Sequence, residues 1–213
     1  MCGRRNFISA IQGGVLNVEG SAPYTEPDGH TGTVPWSFVG SIRGENSTKA
    51  EIKSRLPHIA HQVIAYKESR FLQFHKKNLP LVNQKKRPVG FGVMQLTRDP
   101  LPSARELWDW KQSVHAGVSK YEPGKGVVRK HYKNMRESHP KLPELTADQL
   151  KIASYQYYNA GNHFYWVPDD TETKWVKNPI TDSAGKHPYT DYGDDVVRVE
   201  KLVVKGTPPA DWD

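Results

Sequence analysis

Three capping boxes do most to limit what this chain can fold into. Thr48 with Glu51, Ser103 with Glu106 and Thr146 with Gln149 each place a hydroxyl residue three positions before a Glu or Gln. At that spacing the hydroxyl accepts from the first turn of a helix, and the longer side chain reaches back to the cap's own amide. Each box predicts a helix start. Beyond the first, Pro57 breaks or restarts the helix, and a second helix is expected from about residue 57 to residue 74. Beyond the second, Leu107, Trp110, Val114 and Val118 recur at helical spacing until "EPGKG" at 122–126 stops them, with a further polar helix over 127–138. Beyond the third, Leu150, Ala153 and Tyr157 share one face, and Asn159-Ala160-Gly161 suits a left-handed cap.

The segments between read differently. "GFGVMQLT" at 90–97 mixes glycines with β-prone residues and predicts a short strand or turn. Residues 1–46 are rich in Gly, Pro, Ser and Thr and read as loop with at most short strands. Residues 162–190 read as irregular, and "DYGDDVVRVEKLVV" at 191–204 fits neither the helical nor the strand period cleanly. The expected fold class is mainly α (α+β). The expected organisation is an irregular N-terminal extension, 1–46, packed on a helical domain, 47–213.

At 213 residues the chain is long enough for one domain with a sizeable core. Its mean hydropathy of −0.72 and the lack of any apolar run near ~18 residues exclude a membrane-spanning helix. Cys2 is the only cysteine, which rules out an intrachain disulfide and a cysteine zinc site. The N-terminus has no apolar core of a signal peptide, and its abrupt start reads as that of a domain cut from a longer protein. The net charge is +7, and Lys76, Lys77, Lys85 and Lys86 cluster between Arg70 and Arg87 without an acid among them. Such a run fits an anionic partner (nucleic acid, a membrane surface or a wall polymer) or simply a solvated loop.

The stretch "HQVIAYKESRFLQF" at 61–74 carries the chemistry. Leu56, Ile59, Ala60, Val63, Ile64, Phe71 and Phe74 mark an apolar stripe, and Glu68 falls on it one turn beyond Ile64. A carboxylate there is costly unless it is paired or protonated. One reading is a salt bridge with Arg70 or Lys67 at the edge of the stripe. The other is a carboxylic acid whose raised pKa lets it donate a proton at neutral pH. Position alone leaves both open.

Three blocks in order bear on the choice. "KESRF" at 67–71, "GFGVMQLT" at 90–97 and "YYNAG" at 157–161 resemble the signatures of the goose-type lysozyme and soluble lytic transglycosylase superfamily. The segment 106–121 is similar to the family's intervening helix, with Ser113 where Asn is usual, and 189–198 is similar to the C-terminal stretch of goose-type lysozymes. The chain is also similar to the lysozyme domains of type VI secretion effectors. The resemblance covers about residues 47–200 and leaves residues 1–46 outside it. It implies a lysozyme-like α-rich domain with a small β element flanking a cleft. It also implies cleavage of the β-1,4 bond between N-acetylmuramic acid and N-acetylglucosamine. Glu68 then matches the catalytic acid and Ser69 a residue at the sugar site. Gly90, Gly92, Met94 and Gln95 match the cleft floor, and Tyr158 and Asn159 match the pair facing the acid. Glycines would let backbone approach a glycan, and tyrosine offers a flat face and a hydroxyl within reach of the acid.

One position departs from the pattern. Thr97 stands where an Asp is expected, and Asp99, two residues on, is the nearest substitute for holding water. An inverting hydrolase needs a second carboxylate ~6.5–9.5 Å away, whereas a lytic transglycosylase uses the muramyl 6-hydroxyl and needs none. A hydrolase is the expectation, with the anhydro-forming reaction and a non-catalytic wall-binding module as alternatives. His58 and His61 lie one turn apart without a third ligand, so neither metal nor cofactor is expected. Trp108 and Trp110 are expected to pack in the core, with a sugar platform as the second role. The expected partner is peptidoglycan, with an immunity protein if the chain is an effector, no nucleic acid and no membrane insertion. The expected state is a monomer, secreted or delivered into a target cell's periplasm.

Overall fold

The computed structural model describes residues 14–42, 44–75, 79–82, 90–97, 101–161, 164–178 and 192–213. Within them the chain is a helix-rich α+β fold. Six helices are present: α1 (Lys49–Ser54), α2 (Ile59–Ser69), α3 (Ala104–Trp108), α4 (Trp110–Ser138), α5 (Ala147–Ala160) and α6 (Tyr192–Val204). Six strands form three separate antiparallel hairpins: β1 (Gly14–Thr25) with β2 (Thr31–Ile42), β3 (Gly90–Phe91) with β4 (Leu96–Thr97), and β5 (Trp166–Pro168) with β6 (Trp175–Lys177). Asp99 and the lysines at 76, 77, 85 and 86 lie outside the described residues.

All three capping boxes form, with both reciprocal hydrogen bonds present at Thr48, Ser103 and Thr146. Elsewhere the helices depart from expectation. The helix carrying Glu68 ends at Ser69, because Arg70 and Phe71 both adopt positive φ (57° and 63°). Phe71 and Phe74 are therefore not on its apolar stripe, although both are buried. The chain reverses so that Phe71 meets Tyr66 and Trp212, with ring centroids 6.0 and 5.2 Å away.

The helix after Ser103 is interrupted at Asp109, whose carboxylate caps α4 by accepting from Lys111 N at 2.9 Å. α4 then runs straight through "EPGKG", where a stop was expected. Pro123 removes one backbone donor, but the two halves are held by different cores. Val114 and Tyr121 belong to the core built on α2, α5 and α6, whereas Val128 and Tyr132 belong to a second one with Leu142, Tyr165 and Trp175. Tertiary packing outweighs the local signal.

The N-terminal segment also departs from the expected irregular loop. β1 and β2 pair over twelve residues each, from Gly14 opposite Ile42 to Thr25 opposite Thr31. Glycines and prolines interrupt its sequence, but alternation sets its faces: Val18, Ala22, Tyr24, Val34, Trp36 and Phe38 share one side and Asn17, Glu19, Ser21, Thr33 and Ser37 the other. The 191–204 stretch, ambiguous by period, is helical from Tyr192 onward.

Candidate active site

The last turn of α2, the tight β3–β4 hairpin, the middle of α4, the end of α5 and the start of α6 converge on Glu68. Ser69, next in the chain, is buried and fastens the first two elements together. Its hydroxyl lies 2.8 Å from the Val93 carbonyl and 3.1 Å from that of Ala65, and it accepts from Leu72 N at 3.1 Å. Its one proton is committed inside the protein, so it holds the hairpin to the end of α2 beside Glu68.

The hairpin turn is Gly92-Val93-Met94-Gln95, closed by Gln95 N donating to Gly92 O at 3.1 Å. Gly92 has φ +69°, and a Cβ there would lie 2.6 Å from the Gln73 side chain. Gln73, fully buried, accepts from Val93 N at 2.9 Å and donates to the Leu107 and Glu106 carbonyls at 2.7 and 3.1 Å. One amide thus ties the post-α2 segment, the hairpin and the end of α3 together. Gly90 is buried at the start of the hairpin, and Gln95 turns inward to donate to Gly92 O at 2.8 Å. Met94 is fully buried against Gly117 of α4. The residues expected to line a cleft floor thus form one tight hairpin, with the Met94 and Gln95 side chains buried. Thr97, at the end of β4, is exposed.

Glu68 itself has an uncommon environment. Tyr192 donates to its Oε1 at 2.5 Å, and Asn159 hydrogen-bonds it from the exposed end of α5. Both cations offered as edge partners are engaged elsewhere: Lys67 with Asp195 at 2.9 Å and Arg70 with Asp211 at 3.3 Å. Among the described residues Glu68 forms no ion pair. Burial pushes its carboxyl above the usual carboxylate range, outweighing the Tyr192 and Asn159 hydrogen bonds and the more distant Lys120 and Lys67, which favour the ionised form.

The structure reassigns one role. Tyr158, buried on α5, gives its hydroxyl to Met94 O at 2.7 Å and does not reach the acid with it. The tyrosine that does so is Tyr192, 124 residues from Glu68 in sequence. It lies in the C-terminal stretch whose resemblance was noted, but nothing local marks it out. Its position is set by α6: Gly193 N donates to the buried Gln156 side chain at 3.1 Å, and Glu200 accepts from Tyr155 at 2.9 Å and Lys151 at 3.1 Å. Lys120 on α4 is the second residue that periodicity did not single out. Its ammonium sits 4.7 Å from the centre of the Tyr158 ring.

His61 is buried and pairs with Glu122 at 2.8 Å, and no cluster of three or more potential metal ligands occurs among the described residues. Trp108 packs on Phe74 with ring centroids 5.6 Å apart, and Trp110 is partly buried against the main core. No described helix is long and apolar enough to cross a membrane. No family model matches the chain, and neither the curated proteins nor the solved structures contain a match.

Proposed function

We propose that the protein is a peptidoglycan glycosidase, a muramidase of lysozyme-like fold that cleaves between N-acetylmuramic acid and N-acetylglucosamine with Glu68 as general acid. The single observation that carries this reading is the state of Glu68: a carboxyl without an ion pair among the described residues, raised in pKa by burial, and held by a tyrosine hydroxyl and an exposed asparagine amide. A structural salt bridge would lower that pKa. A group that must carry a proton to a leaving oxygen near neutral pH needs it raised. The blocks at 67–71, 90–97 and 157–161, far apart in the chain, are joined beside this carboxyl by the Ser69–Val93 and Tyr158–Met94 hydrogen bonds, which supports the reading.

The acid protonates the glycosidic oxygen as the bond to the anomeric carbon breaks. Water then completes hydrolysis, with Asp99 as the group proposed to hold it. A second reading, attack by the muramyl 6-hydroxyl to give a 1,6-anhydro product, is favoured by Thr97, an exposed hydroxyl where the family carries an acid. In either case the proposed site of action is the periplasm of a target cell, reached by secretion or delivery. Glu68→Gln is expected to abolish clearing of wall suspensions, a loss of at least ~10²-fold, with wall binding and fold retained. Clearing by that variant at the native rate would refute the assignment. Mass spectrometry of the muropeptides separates the two outcomes, since the anhydro product lacks one water.

A further inference from the structure

Lys120 on α4 lies close enough to Glu68 for their charges to interact, over the ring of Tyr158, the residue before Asn159, which hydrogen-bonds the acid. Its side chain is half-buried, with the ammonium over the Tyr158 ring. Among the described residues it enters no ion pair and no hydrogen bond. It lines a surface depression with Leu96, Thr97, Leu101, Pro102, Ala116 and Glu106. The one carboxylate in that lining is committed elsewhere, since Glu106 caps its own helix by accepting from Ser103 N at 2.6 Å. Tyr158 is fixed under the ammonium by its bond to Met94 O at 2.7 Å, so the platform that carries the charge is rigid.

Among the described residues the donors of this half-buried cation are unused, which poises it for an anion, because a neutral hydroxyl offsets little of the cost of withdrawing an ammonium from water. Burial lowers the Lys120 pKa and Glu68 pulls it partly back, which agrees with a charge awaiting a partner. If the glycan lies across Glu68, the anion nearest the scissile bond is the carboxylate of the lactyl group, which is joined by an ether to the muramyl ring two ring carbons from the anomeric centre. That carboxyl is ionised only where no stem peptide is attached to it.

We propose that Lys120 is a substrate-positioning residue that binds the free lactyl carboxylate of a muramyl unit, so that the site favours glycan strands stripped of their stem peptides. The inference rests on the glycosidase reading above. It is tested by titration calorimetry in the Glu68→Gln background. One ligand is a peptide-free N-acetylglucosamine–N-acetylmuramic acid oligosaccharide. The other is the same oligosaccharide with its lactyl carboxyls converted to amides. Adding Lys120→Met is expected to weaken binding of the acid form about tenfold and that of the amide form less than about twofold, while Lys120→Arg retains most of the preference. Circular dichroism and melting of each variant confirm that the fold is intact. Equal weakening of both ligands, or of neither, overturns the role of Lys120. If the Glu68→Gln parent binds neither ligand and the native protein leaves walls intact, the glycosidase reading fails first and takes this inference with it.

Discussion

Glu68 couples the chemistry of the site to the stability of the fold, and the coupling has a definite sign. Its carboxyl is raised by burial in the folded chain and ordinary in the unfolded one. Below about pH 4 both states hold the proton and the group contributes no difference. As pH climbs through the ordinary carboxylate range, the unfolded chain ionises first, and stability is lost until the folded pKa is passed. Glu68→Gln carries no such penalty. Its melting temperature is expected to match the native protein in acid and to exceed it by a few degrees at neutral pH, as read by calorimetry across that range. An advantage that is constant with pH would mean Glu68 is not held protonated. Tyr192 acts in the opposite direction, since its hydroxyl favours the carboxylate. Tyr192→Phe is therefore expected to raise the Glu68 pKa further. The alkaline limb of the pH–rate profile should move to higher pH, with a rate loss smaller than the ~10²-fold of Glu68→Gln. A limb that stays in place or moves down refutes the contact.

At the scale of elements, what was legible in the sequence is what is local. A capping box is a contract between residues three apart, and all three are honoured. The end of α2 was not legible, because two non-glycine residues at positive φ are stabilised by partners such as Trp212, 141 positions on from Phe71 in the numbering of the chain. The stop at Pro123 failed for the same reason, with two cores gripping α4 on either side. Two helical glycines make the contrast measurable. Gly126 in α4 is exposed and a Cβ there would meet nothing within 4 Å. Gly193 in α6 lies against α5, and a Cβ would fall 2.4 Å from the backbone oxygen of Ile152, which cannot yield as a side chain would. Gly126→Ala is expected to stabilise by about 0.5–1 kcal/mol through helix propensity. Gly193→Ala is expected to destabilise by about 1–3 kcal/mol. It should also cut activity further than that loss explains, because its neighbour Tyr192 moves with it. Urea denaturation and clearing assays on the same preparations read both effects, and equal stabilisation by the two would contradict the close packing of α6 on α5.

For the molecule as a whole, the candidate site was legible where motif residues lie within one segment and obscure where the fold closes it. Glu68 stood out by its place on a stripe, whereas Tyr192 and Lys120 come from helices whose approach no periodicity announces. The β1–β2 hairpin was obscured differently, since its glycines and prolines mask an alternating pattern that composition alone cannot reveal. Trp36, Phe38 and Val34 remain 49%, 57% and 53% exposed along one face. Trp36 lies over Gly20 and Tyr24 over Gly32, so the rings cover the hairpin's own backbone rather than the body. Among the described residues, hydrogen bonding to the body begins after the hairpin. Asn46 Oδ1 accepts from Gln73 N and Phe74 N, both at 2.8 Å, and its amide donates to Phe74 O at 2.8 Å. These bonds brace the segment that follows α2, and Gln73 in turn holds the β3–β4 turn. Removing residues 1–43 should therefore spare the site, keeping one cooperative melt within a few degrees of the full chain and an unchanged rate of wall clearing. Asn46→Ala in the full chain should do more harm than the whole truncation, since it leaves two buried amides without their acceptor at a cost of about 1–3 kcal/mol. Broad, non-cooperative melting of the truncated protein would show that the hairpin is part of the folding unit, and a loss of clearing with an intact melt would show that it takes part in engaging the wall.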